Sequence, residues 1–237
     1  MRQRRFSVVT TLVVVALSLP AIALAAPYTA IYTFTGSPGN QASEPVDANP
    51  IGAAFSAITR GPGISAVGGL NSINSDGWTT GVVADLNDYY QFTITPDANY
   101  LLDVTDLAFT FRRSGTGPRE FEVRNSLDGF ATAFWHISVT DVTQNFRVSS
   151  SMPGGFNGSL NLTSAISFRI YGFAAEGAAG TFRLGVANGE VNDDLPANLV
   201  VSGDLEPVPE PATLVLIGAG LSVLARRRRR ESARSAR

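Results

Sequence analysis

Tyr89-Tyr-Gln-Phe-Thr-Ile-Thr95 alternates without interruption: Tyr90, Phe92 and Ile94 fall on one side, and Tyr89, Gln91, Thr93 and Thr95 on the other. Side chains along a strand point to opposite faces in turn. A period of two with one apolar side therefore marks a strand half-buried against a core. Tyr100 to Arg112 continues the theme, with Leu102, Val104, Leu107, Phe109 and Phe111 as its apolar positions. The phase slips at Thr105-Asp106, which predicts a bulge or a break there.

Outward from this pair the pattern repeats. Tyr28 to Thr35 sets Tyr28, Ala30, Tyr32 and Phe34 on one face. Glu120 to Arg124 opposes Phe121 and Val123 to Glu120, Glu122 and Arg124. Ala165 to Tyr171 directs Ile166, Phe168 and Ile170 inward, with Ser167, Arg169 and Tyr171 outward. Ala131 to Thr140, Asn145 to Ser150, Thr181 to Ala187 and Asn198 to Val201 complete the strands. Gly36 to Pro50 reads as a loop. Within Ile51 to Gly69, Ala53, Ala54 and Phe55 can open a short helix, which Gly61-Pro62-Gly63 would end. Gly77-Trp78-Thr79 falls between Asn/Ser turns and Val82-Val83. Strands spaced by turn residues, with no long segment of helical period, predict an all-β antiparallel sandwich. One face of each sheet would share the core.

The two ends read differently. Arg2, Arg4 and Arg5 precede an apolar stretch from Phe6 to Leu19, and Ala23-Leu24-Ala25 is a small-x-small cleavage site. Residues 1–25 thus form a predicted signal peptide, a helix cut by signal peptidase after Ala25. A cut after Ala26 would place Pro27 beside the scissile bond. The sandwich domain is then 26–206, long enough for a full core. At the other end Val208-Pro209-Glu210-Pro211 leads into Ala212 to Ala225, which carries no charge and no proline, and then into Arg226 to Arg230. As a helix this run reaches roughly 21 Å, against about 30 Å for a bilayer core. Residues 212–225 are a short membrane helix. The arginines and the polar tail 231–237 stay cytoplasmic, because positive charge resists translocation. The physics fits a transient hold for a membrane-bound processing enzyme and fits an ordinary anchor equally well.

Pro209-Glu210-Pro211, the short apolar run and Arg226, Arg227, Arg228, Arg229 and Arg230 occur in fixed order at the C-terminus, and residues 207–230 resemble the PEP-CTERM sorting signal of Gram-negative bacteria. The resemblance implies recognition by an exosortase, an integral-membrane transpeptidase-like enzyme, with removal of the tail. It implies an exported envelope, surface or biofilm-matrix protein of an exopolysaccharide producer, held only transiently at the inner membrane. The extension from Glu231 to Arg237 departs from the pattern. Asp88 to Pro96, Phe109 to Pro118, Arg124 to Phe130, Phe168 to Phe173 and Gly180 to Leu184 resemble a β-domain common in such proteins. That likeness implies a jelly-roll sandwich similar in shape to carbohydrate-binding modules. Gly185-Val186-Ala187-Asn188 departs from its usual Asp-Asn-Val type segment.

Composition limits the chemistry. Between Ala26 and Glu206 eight arginines face 18 acidic residues, a net charge of −10 with no lysine. That balance argues against nucleic acid as a partner. The absence of cysteine removes thiol catalysis and thiolate metal sites, and a single histidine, His136, precludes a multi-histidine site within one chain. A Ser-His-Asp site would need His136, and no Gly-x-Ser-x-Gly elbow accompanies it. Glu120 and Glu122 lie roughly 6 to 7 Å apart along a strand, a glycosidase spacing. Arg124 continues their face, and alternating charge is what a solvated face looks like. The expectation is no catalysis and no cofactor.

Calcium is the one metal the loops suit, as a structural ion. Its candidates are Asp85 with Asp88, and Asp193 with Asp194; Asp103 with Asp106 is a further oxygen-rich pair. Trp78 and Trp135, with outward tyrosines such as Tyr89 and Tyr171, are candidates for stacking on the sugars of an exopolysaccharide, although aromatics in sandwiches more often pack in the core.

Overall fold

The computed structural model describes residues 24–139, 145–187 and 194–208, together with 218, 220 and 221. The predicted signal helix and nearly all of the C-terminal apolar run lie outside these residues; Gly218, Gly220 and Leu221 are helical. Among the described residues no helix is long and apolar enough to cross a membrane.

Two sheets pack face to face. The first holds β1 (Ala26–Thr33), β2 (Pro38–Gly39), β6 (Ser65–Ala66), β7 (Ser72–Asp76), β9 (Tyr100–Arg113), β12 (Phe146–Ser151), β14 (Phe182–Gly185) and β15 (Asn198–Pro207). The second holds β3 (Ser43–Glu44), β4 (Ala53–Phe55), β5 (Ile58–Arg60), β8 (Tyr89–Pro96), β10 (Glu120–Asn125), β11 (Ala133–Ser138) and β13 (Ile166–Phe173). Every pairing is antiparallel except β2 with β7. The sandwich predicted from the alternation is thus the observed fold.

β9 is the spine of the first sheet. β12 pairs along one edge, while β15 and then β14 share the other. The register against β15 shifts between Ser202 and Gly203, which face Asp106 and Val104, leaving Thr105 as the extra residue. The bulge keeps the core side in phase. Leu102 and Val104 before it and Leu107, Phe109 and Phe111 after it are all buried. Without it the second half would turn its aromatics to water. Opposite lies Gly203, where a Cβ would come within 1.9 Å of the Asp103 carbonyl oxygen, so no larger residue fits without a shift.

Aromatic rings join the two layers. Tyr32 of β1 meets Phe92 of β8 at 5.7 Å, and Phe111 of β9 meets Phe121 of β10 at 5.4 Å. At one end of the sandwich β9 finishes in Arg113, itself buried. Its Nη2 donates to the carbonyls of Gly115 and Gly117 and pairs with Glu176, which Arg119 Nη2 also reaches at 2.8 Å. At the opposite end β1 begins, with Ala26 paired to Leu205, and β15 finishes at Pro207. Both flanking segments therefore join the domain at the same end.

Two local expectations are corrected. Ala53–Phe55 opens no helix. It is β4, paired with β8, because Ala53 and Phe55 face the core while Ala54 faces out. Ser72–Asp76 is no turn. β7 is an interior strand whose buried hydroxyls find partners: Ser72 Oγ donates to the nearby Gly69 carbonyl, and Ser75 Oγ accepts from Tyr90 Oη and Arg60 Nε, while Asn74 donates through Nδ2 to the Gly68 carbonyl and its buried Oδ1 has no partner among the described residues. Buried polar groups so satisfied cost little.

Candidate functional site

The outer face of the second sheet carries a lattice of interlocked rings, arginines and carboxylates. Its rows follow from register. Gln91, Arg169 and Arg124 are aligned across β8, β13 and β10. Tyr89, Tyr171, Glu122 and His136 are aligned across β8, β13, β10 and β11. The alternation that buries Tyr90, Phe92, Phe168 and Ile170 is what puts these residues on the other side.

Arg169 is the centre. Its guanidinium carbon lies 3.9 Å from the Tyr89 ring centroid and 3.9 Å from that of Phe130, so both of its planar faces are covered. Nε donates to Gln91 Oε1 at 2.7 Å, and Nη1 donates to Tyr171 Oη at 3.3 Å. Tyr171 is itself buried, at 0 % exposure, beneath Arg124 and edge-on to Tyr89. Arg124 is engaged by Glu122 through Nε and Nη2, and its Nη1 donates to the Phe130 carbonyl.

Phe130 reaches Arg169 through a strained turn. A short 3-10 turn, Ser126–Asp128, is capped by the Asn125 side chain and ends at Gly129 in the left-handed region. Phe130 follows at φ 63°, a conformation an aromatic residue rarely adopts. Its N–H donates to the Asn125 carbonyl at 3.0 Å, and the Asp128 carboxylate takes the next two N–H groups, those of Ala131 and Thr132.

The other candidates are placed as follows. Glu120 and Glu122 do share the outer face, but each is engaged by the protein. Glu120 accepts from His136 Nε2 at 3.0 Å and from Ser138 Oγ, and Glu122 holds Arg124. His136 is exposed and its ring stacks on Phe173.

Trp78 and Trp135 are not a surface platform. They are the two ends of an internal chain of rings. Trp78 is 2 % exposed, packs on Tyr90 and Phe182, and donates Nε1–H to the Ser75 carbonyl. Phe182, Phe121, Phe111 and Phe109 continue the chain to Trp135, which stands opposite Val123 and therefore faces inward. Tyr89 and Tyr171 both lie on the outer face, as expected, but Tyr89 is half-buried and Tyr171 is covered by Arg124 and Tyr89.

Asp88 is 4 % exposed and accepts the Thr79 N–H, so it braces its loop; burial raises its pKa, a tendency that this hydrogen bond opposes. Asp85 accepts the Asn87 N–H within the same turn. Asp194 is exposed and Asp193 lies outside the described residues. Among the described residues no three His, Cys, Asp or Glu gather as a metal site.

Ala25 is exposed just ahead of β1, while Ala23, Pro209, Glu210, Pro211 and Arg226 to Arg230 fall outside the described residues. Reasoning from sequence missed the Arg169 sandwich. Its one local sign was the Asp128-Gly129 corner before an aromatic residue.

Among solved structures the chain is similar to a carbohydrate-binding module of family 29, with 13 % identity over 74 % of this chain and 89 % of that one and a TM-score of 0.33. It is also similar to the K1 cleaved adhesin domain of Lys-gingipain from Porphyromonas gingivalis, with 13 % identity over 76 % and 96 % and a TM-score of 0.30. No curated protein matches the chain. The family comparison bears on the C-terminal segment: residues 207–230 match the PEP-CTERM protein-sorting motif, so the chain carries that motif directly behind its last strand.

Proposed function

We propose that this chain is an exported, non-enzymatic surface or biofilm-matrix protein whose C-terminal signal is processed by an exosortase. The observation that carries the reading is the sorting motif at 207–230, whose first residue, Pro207, is the last residue of β15. The whole sandwich precedes the motif, so removing the tail leaves every strand in place. The front end is consistent with this. β1 begins at Ala26, immediately after the proposed signal-peptidase site at Ala23 and Ala25. Before processing, residues 212–225 hold the chain at the inner membrane and Arg226 to Arg230 stay behind it. The domain between the cuts is then delivered as a jelly-roll sandwich to the envelope, cell surface or matrix. The engagement of Glu120 and Glu122 by protein partners supports a role without catalysis.

Intact mass of the protein from its own cells, in membrane and secreted fractions, tests this. The expected mass begins near Ala26 and ends near Pro209. A mass retaining residues 212–230 in every fraction would overturn exosortase processing and leave a plain anchored protein.

A second reading is favoured by the outer face of the second sheet. Its ordered rings and hydrogen-bonding side chains, Tyr89, Phe130, Arg169 and Gln91, suit an exopolysaccharide chain. Retention on a polysaccharide gel, abolished by Arg169→Gln with the fold intact, is the expected result. No retention on any glycan would overturn it.

A further inference from the structure

We infer that the Tyr89–Arg169–Phe130 sandwich is a binding site for a carboxylate-bearing sugar unit of an acidic polysaccharide. Resting on the glycan reading above, it names the class of glycan. Arg169 is the residue that decides this. The mature segment is strongly acidic, yet Arg169 pairs with no carboxylate among the described residues. Its neighbour Arg124 is already engaged by Glu122.

The hydrogen-bonding edge of Arg169 is only partly used. Nε is taken by Gln91 and Nη1 reaches Tyr171, while Nη2 has no acceptor in the described protein and is not a buried orphan. A guanidinium locked flat between two rings has lost its freedom before any ligand arrives, so little entropy remains to be lost on binding. Its remaining N–H groups form the in-plane fork that fits a carboxylate. The rings that cover it lower the local dielectric and strengthen the contact.

The second, independent observation is Phe130. A phenylalanine at φ 63° is strained, and glycine would relieve it. The strain does one visible thing: it lays the ring over Arg169. Strain of this kind concentrates at ligand clamps. A sugar fits better than an acidic peptide because the same patch adds Gln91, with its amide, and the edges of two rings, which suit the hydroxyl and C–H faces of a pyranose. The net charge of −10 repels a polyanion at long range, so the attraction is a short-range one and grows as moderate salt screens that repulsion.

The test uses the protein as its own host delivers it, on gels of polygalacturonate, dextran, dextran sulfate and immobilised polyglutamate. Retention on polygalacturonate is expected, weakened at least tenfold by Arg169→Gln. Phe130→Gly is expected to weaken it similarly while the thermal midpoint stays unchanged or rises, which a merely structural ring would not allow. Retention on dextran alone, indifferent to Arg169→Gln, would overturn the acidic-sugar inference and leave a neutral-glycan role. Equal retention on dextran sulfate would overturn the carboxylate assignment, and equal retention on polyglutamate would overturn the sugar. Retention on none of the four gels would overturn both this site and the glycan reading, with the sorting of the chain untouched.

Discussion

Glu176 joins two arginines of opposite situation. Arg113 is buried at the end of β9, and Arg119 is half exposed. The hydrogen bond from Arg113, first, and then those of Arg119 hold the Glu176 carboxyl below the usual carboxylate range, against the pull of desolvation. A folded pKa below the unfolded one means stability that is present above the ordinary carboxylate range and is lost as the pH falls through the folded value. Glu176→Gln should therefore lower the thermal midpoint at pH 7. The gap between wild type and variant should close as the pH falls from 5 to 3. A gap that stays constant across that interval, in parallel melts, would show that the charge on Glu176 contributes nothing.

Single residues also mark where the sequence could be read and where it could not. Trp135 was visible as an aromatic, but its direction depends on its register with Val123 and on the shift between Val123 and Arg124 in β10, which no local pattern reveals. Arg169 was correctly directed outward. Its partners Tyr89 and Phe130 are far away in sequence, so the sandwich emerges only when three segments are placed side by side.

At the scale of elements, the legible strands were those with apolar residues on every second position: β8, β10, β13 and both halves of β9, including its slip at Thr105. β7 was illegible because it is buried on both faces and three of its buried residues are polar: Ser75 shares the core side with Ile73, where Tyr90 and Arg60 meet it, and Ser72 and Asn74 lie on the other side, where each donates to a backbone carbonyl. β2, β3 and β6 are two residues long and carry no period to detect. β15 was read as four residues and runs for ten. Its second half alternates Gly203 and Leu205 inward, and the glycine hides the pattern. That half is not decoration. It pairs with Ala26 to Tyr28 on one side and with Tyr100 to Val104 on the other. A chain stopped after Ser202 should lose the cooperative melt, whereas one stopped after Val208 should melt within about 2 °C of the mature protein, less than a 1 kcal/mol change would produce. Circular dichroism melts of the two truncations distinguish these outcomes.

For the whole molecule, charge is the dominant variable. Between Ala26 and Glu206 a net charge of −10, without a single lysine, opposes the compact state through self-repulsion. Between about 10 mM and 150 mM salt the screening length shrinks from roughly 30 Å to 8 Å, less than the width of a domain of this size. The mature protein should therefore gain several degrees in thermal midpoint over that range, as read by scanning calorimetry. A midpoint that falls with added salt would mean that ion pairs such as Arg113–Glu176 outweigh the repulsion.

The placement of β15 has a mechanical meaning. It lies between β1 and β9, bonded on both flanks, and it ends at Pro207. Tension arriving through Pro207 therefore loads both rows of bonds in shear, all together, instead of peeling them open one after another. A strand held in that way yields only at high force. A pull on this end therefore meets the resistance of two neighbouring strands at once.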